Sequence, residues 1–133
     1  MEHFIKVTLG EANGAEVVTA VENPLKAAPG DIVTWRLDAK SANRQVRVQF
    51  VEVRLLSDQR LRGADGPDGP FASLVQEGAE IVGTLPQDLA LDRRFIYKFV
   101  VGENGEQVKW GNPIEGTENF GGLDIPQPPP RGG

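Results

Sequence analysis

Few side chains in this 133-residue chain have the type and spacing for chemistry. Met1-Glu2-His3 is the one metal-capable arrangement. A terminal amine, two deprotonated backbone amides and a third-position imidazole can wrap Cu(II) or Ni(II) in a square plane. Phe4 and Ile5, however, draw this end toward a first strand, and no bound metal is expected. Asp65 and Asp68, set among Gly66 and Gly69, suggest a calcium loop. They lack the alternate oxygen ligands and distal glutamate of an EF-hand, and Pro67 and Pro70 suit consecutive turns instead. Glu103/Glu106 and Glu115/Glu118 are the carboxylate pairs closest to acid–base spacing. Such catalysis needs two carboxyls facing across a cleft, one with a raised pKa. The first pair flanks Asn104-Gly105 and the second lies in a glycine-containing polar run, so both are expected in solvent.

Composition closes other routes. There is no cysteine, one histidine and one methionine, and the serines are Ser41, Ser57 and Ser73. Thiol chemistry and thiolate-held metals are excluded, and a serine relay would depend on a histidine two residues from the chain start. No P-loop, G-x-S-x-G or G-x-G-x-x-G pattern occurs. The expectation is a protein without catalytic residues, cofactor or metal.

Charge is more informative. The net charge of −5 opposes general binding to nucleic acid or to an anionic membrane. Residues 36–62 nevertheless carry seven basic residues against three acidic ones, a local +4 within a chain whose remainder is −9. Arg36, Arg47 and Arg54 alternate with apolar neighbours, so they should point outward and offer bidentate donors to carboxylates. They are the expected partner-binding residues, for a protein or an acidic peptide. Trp35 and Tyr97 share parity with aliphatic residues and should be buried. Trp110, near Gly111-Asn112-Pro113, is the candidate aromatic for an alternative role in binding a small ligand or carbohydrate.

The elements that must position these residues are strands. Ile5, Val7 and Leu9 alternate with Lys6 and Thr8, Asn13-Gly14 supplies a tight hairpin, and residues 17–21 return. Ala28-Pro29-Gly30 turns into a strand over 31–37, with Val33, Trp35 and Leu37 on one face. Lys40 to Arg44 is a polar loop. Val46, Val48 and Phe50 share one parity while Val51, Val53 and Leu55 have the other, which predicts a β-bulge near Phe50–Val51 or a strand crossing between sheets. Gly63 to Pro70 reads as a surface loop. Short strands are expected over 71–76 and 79–85, and a single helical turn within 86–93. Phe95, Tyr97, Phe99 and Val101 alternate again before a second hairpin leads to Val108 and Trp110. Seven or eight short strands with turns between them make a two-sheet Greek-key β-sandwich.

Pro29-Gly30-Asp31-Ile32-Val33-Thr34-Trp35 resembles the "P-G-D-x-V-x-W" strand of cupredoxins. Phe71-Ala72-Ser73 and Phe95-Ile96-Tyr97-Lys98-Phe99 fall in the order of that family's "F-x-S" segment and late strand. The resemblance spans roughly residues 28–101 and implies a cupredoxin-like sandwich, with an immunoglobulin-like order as the rival. The family holds type 1 copper through two histidines, a cysteine and usually a methionine. Phe99 stands where the cysteine would be and no histidine is near, so the resemblance implies a copper-free relative in which Tyr97 and Phe99 continue the core.

The sandwich is expected over residues 1–120. Residues 121–133 hold four glycines and four prolines, which reads as a flexible tail with a polyproline stretch from Pro126 that matches PxxPxR. The first residues lack a secretory pattern and no run reaches membrane-span length, so a cytoplasmic location is expected. The functional expectation is a non-enzymatic interaction or accessory module that recognises its partner through the basic sheet face or through an unpaired edge strand.

Overall fold

The computed structural model describes residues 1–12, 14–38, 45–57, 61–63, 69–72, 74–102, 106–114 and 120–127. The chain is an all-β sandwich of two mixed sheets, with twelve strands among the described residues. They are β1 (Glu2–Ala12), β2 (Ala15–Ala20), β3 (Leu25–Lys26), β4 (Ile32–Leu37), β5 (Val46–Leu55), β6 (Leu61–Gly63), β7 (Val75–Glu77), β8 (Glu80–Thr84), β9 (Arg93–Val101), β10 (Glu106–Gln107), β11 (Lys109–Trp110) and β12 (Gly121–Ile125). The count exceeds the seven or eight expected; seven strands have five or more residues, and one of these, β12, was read as tail. The other five, two or three residues long, are too short to show a period. No helix among the described residues is long and apolar enough to cross a membrane.

The first sheet runs β11-β2-β1-β4-β8-β7 and the second β3-β12-β9-β5-β6, with β10 also paired to β9. Ala12 faces Ala15 across the β1–β2 hairpin and Gly14 takes a φ of 77°, the left-handed conformation that a two-residue connection requires. β1 then lies between β2 and β4, antiparallel to the first and parallel to the second. The mixed parity of 46–55 resolves as a bulge. The β5–β9 register shifts between Phe50 and Glu52, so Val51 is the extra residue and Val53 returns to the core opposite Phe95.

The inward sets meet in one core. Ile5, Val7, Val33, Trp35, Phe50, Phe95, Tyr97 and Phe99 are all buried in a single cluster. Rings dominate its centre. Tyr97 packs edge-on against Trp35, Phe99 and Trp110 with centroids 5.6–5.7 Å apart, each such pair adding about 0.5–1.5 kcal/mol beyond its area. Trp35 Nε1–H donates to the Tyr97 hydroxyl at 3.2 Å, which satisfies a polar group inside the core.

Two expectations differ from the structure. Residues 86–93 hold no helix, only a turn in which Leu89 N–H reaches Pro86 O at 3.4 Å. The proposed tail begins too early, because Gly121–Ile125 forms β12, fully buried and paired with β9 and β3. The two glycines allow it. A Cβ on Gly121 would lie 2.5 Å from Trp110 Cη2 and 2.7 Å from Tyr97 Cζ, so the strand sits where a side chain would collide with the rings. Asn23 and Asn112 anchor it further, with Gly122 N–H donating to Asn23 Oδ1 at 2.9 Å and Asn23 Nδ2 to Asn112 O at 2.6 Å. Pro128 to Gly133 lie outside the described residues.

Candidate interaction surface

The outer faces of the two sheets differ in what they leave uncovered. On the first sheet, directly paired residues place Phe4, Thr34, Val82 and Val75 in one row across β1, β4, β8 and β7. That row spans about 14 Å at ordinary strand spacing. The next row holds Lys6, Arg36, Glu80 and Glu77, and Val21 closes its far end through its N–H bond to Lys6 O. Phe4, Val21 and Val75 are 51%, 68% and 48% exposed, and Met1 is the one other exposed large hydrophobic among the described residues. Grouped exposed apolar side chains with charged neighbours mark contact surfaces more often than scattered ones do.

The second sheet's outer face is covered along β9 and β12. Ile96 and Val100 point outward by parity yet are buried, apart from the central cluster. Ile114 sits over Gly122, the cross-strand neighbour of Ile96, where a Cβ would meet Ile114 Cγ2 at 3.2 Å. Two ion pairs lie on this face. Arg94 donates from Nε and Nη2 to the two Asp124 oxygens at 2.7 and 2.9 Å, and Arg54 donates to Glu52 at 3.1 and 3.3 Å.

The three arginines expected to form a single basic face are therefore divided. Arg36 is on the first sheet; Arg47 and Arg54 are on the second. They cannot grip one partner together, because alternation fixes which way a side chain points relative to its own strand but not which sheet the strand joins. Arg36 lies 4.7 Å from the centroid of the Phe4 ring and donates from Nε and Nη2 to Glu80 Oε2 at 3.3 Å. That ion pair is exposed, so it holds the guanidinium only weakly, by about 0–1 kcal/mol. Arg47 is exposed, and Arg54 is taken by Glu52.

Trp110 is not available as a ligand platform. It is 5% exposed, stacked on Phe99 at 5.3 Å and closed over by Gly121. Its place near a strand end left its burial open in the sequence, and only the return of β12 beneath it buries the ring. Its Nε1–H has no hydrogen-bond partner among the described residues. Phe4 is instead the exposed aromatic, and the signal for it was present: it has the opposite parity to Ile5, Val7 and Leu9. Lys6, Val21 and Val75 were also missed, since single exposed residues gain meaning only once strands are ordered side by side.

The amino-terminal metal arrangement is committed elsewhere. His3 lies in β1 opposite Val33, and its Nε2–H donates to Asp31 Oδ2 at 2.8 Å. Asp31 also accepts from Ala28 N–H at 2.9 Å and from the terminal ammonium at 3.3 Å. Burial alone would raise the Asp31 carboxyl; His3, the Ala28 amide and the ammonium outweigh it and hold the carboxyl below its ordinary value. Among the described residues no group of three or more His, Asp or Glu could hold a metal ion. Asp65, Asp68, Glu103, Glu115 and Glu118 lie outside the described residues.

No family model matches the chain, and no curated protein matches it. Among solved structures, the N-terminal domain of phage TP901-1 ORF48 aligns with 95% of this chain and 98% of that one at 11% identity, with a TM-score of 0.36.

Proposed function

We propose that this chain is a non-catalytic recognition module, a copper-free sandwich of cupredoxin-like order, that binds a protein or peptide partner on the outer face of its first sheet. The observation that carries the reading is the exposure along that face of Phe4, Val21 and Val75, with Lys6 and Arg36 next to Phe4, against an opposite face whose outward Ile96 and Val100 are buried. Exposed apolar surface supplies the affinity when a partner covers it, and the cations set orientation and encounter rate. Lys6 and Arg36 offer contacts to a partner carboxylate at the β1–β4 end of the face, while Glu80 and Glu77 make its β8–β7 end acidic.

The strand order supports the cupredoxin-like reading over its rival. An immunoglobulin-type sheet carries its first strand at the edge beside the second. Here β1 is internal and parallel to β4, and β4 is the strand built from the Pro29–Trp35 segment.

The test is capture of partners by the intact chain and by variants on each face. Phe4→Ala and Arg36→Glu, both on the first sheet, should release a partner that Arg47→Glu retains. A partner kept by Phe4→Ala and Arg36→Glu but released by Arg47→Glu would move the surface to the other sheet and overturn the reading.

A further inference from the structure

Granted that the outer face of the first sheet is the recognition surface, the cleft at the end of β4 narrows what it takes. An open cavity of ≈ 330 Å³ there is lined by Phe4, Lys6, Arg36, Leu37 and Asp38. That is the small end of the range for ligand sites, which starts at about 300 Å³ and suits a single residue with its flanking peptide units. Lys6 and Arg36 are direct partners across the parallel β1–β4 pair, so their side chains leave the sheet on the same face from neighbouring positions. Phe4 forms an apolar wall, with the Arg36 guanidinium over its ring.

Asp38 supplies the opposite sign. Its N–H bonds to Val7 O at 3.0 Å, which fixes it just past the end of β4. Its Oδ1 is buried with no hydrogen-bond partner, and neither Lys6 nor Arg36 forms an ion pair with it among the described residues. An underbonded carboxylate at a cavity wall is stabilised by any donor that reaches its other oxygen. The cavity thus carries two cations, an apolar wall and a carboxylate, Asp38, that pairs with neither cation.

We propose that this cleft is a subsite for an acidic residue of a partner peptide. Its carboxylate sits between Lys6 and Arg36, its main-chain N–H turns to Asp38, and an apolar neighbour lies on Phe4. A glutamate within an apolar segment carries all three groups at about the separations one residue spans. Charge complementarity points the same way, since Arg36 is shared with Glu80 while Lys6 has no carboxylate of its own among the described residues.

The test is a titration of the intact chain, followed by amide chemical shifts in nuclear magnetic resonance. The probe is the acetylated, amidated tripeptide Leu-Glu-Leu, with Leu-Gln-Leu and free glutamate as controls. Shifts should concentrate at residues 4–6 and 36–38, and the glutamine peptide should bind about tenfold more weakly, the loss of one charge-assisted contact. Lys6→Gln should weaken the glutamate peptide by a similar factor and Asp38→Asn by less, whereas Arg47→Gln should leave it unchanged. Equal binding of the two peptides, indifference to Lys6→Gln, or free glutamate binding as well as the tripeptide would each overturn the proposal. Absence of peptide shifts, with a native partner still released by Phe4→Ala and Arg36→Glu, would overturn the acidic subsite and leave the recognition face standing.

Discussion

Arg94 and Asp124 face one another directly across β9 and β12, joined by two hydrogen bonds of 2.7 and 2.9 Å with the carboxylate almost fully buried. The pair pins β12 to the sandwich from the outer side, while Leu123 and Ile125 hold it from the core. Removing one partner leaves a charge in a poorly solvated place. Asp124→Ala should therefore destabilise the protein by about 3–5 kcal/mol, and a double Arg94→Met, Asp124→Leu variant should recover most of that loss. Urea denaturation of the three proteins measures both effects.

Gly121 and Gly10 should respond in opposite ways to the same substitution. At Gly121 an added methyl meets Trp110 and Tyr97 at 2.5–2.7 Å, whereas at Gly10 nothing lies within 4 Å. Gly121→Ala should cost about 1–3 kcal/mol through overpacking. Gly10→Ala should be neutral or stabilise slightly, because it reduces the freedom of the unfolded chain. Thermal melts of the two variants beside the parent give the comparison.

Tyr97 is the only tyrosine in the chain, so its ionisation can be followed alone in the ultraviolet. Burial raises its hydroxyl above the ordinary value of 10.0, only partly offset by the bond from Trp35. The folded protein keeps the proton where the unfolded chain loses it, so stability is full below pH 10 and falls as pH rises above it. Tyrosinate absorbance should appear together with alkaline unfolding, not before. Tyr97→Phe removes this alkaline loss and orphans Trp35 Nε1, at about 1–3 kcal/mol, which urea denaturation at neutral pH detects.

Asp31 should govern part of the acid limb. Its carboxyl is held below the ordinary value of 3.8, so the ionised form favours the fold. Its contribution is complete above that value and disappears as pH falls through the lower, folded-state one. The stability gap between the parent and Asp31→Ala should be constant from pH 5 to 7 and narrow below about pH 4. A gap that stays constant down to pH 2 would assign Asp31 a packing role instead of an electrostatic one.

Alternation along the chain declares the class of the fold and most of its core. Inward and outward alternate every second residue, so Val33, Trp35 and Leu37, or Phe95, Tyr97 and Phe99, declare one face without knowledge of any other strand. The same local rule called for a bulge near Phe50–Val51 or a crossing between sheets, because one strand cannot hold two parities, and the β5–β9 register decided for the bulge. Tertiary structure alone decided which strands share a sheet. Arg36, Arg47 and Arg54 all alternate outward, yet Arg36 stands on one side of the sandwich and the other two on the opposite side, since that assignment rests on pairings between distant segments. It also decided that Gly121-Gly122, with the composition of a linker, begins a buried strand. Glycine there answers to the rings of Trp110 and Tyr97, and a neighbour brought close only by folding leaves no period in the sequence.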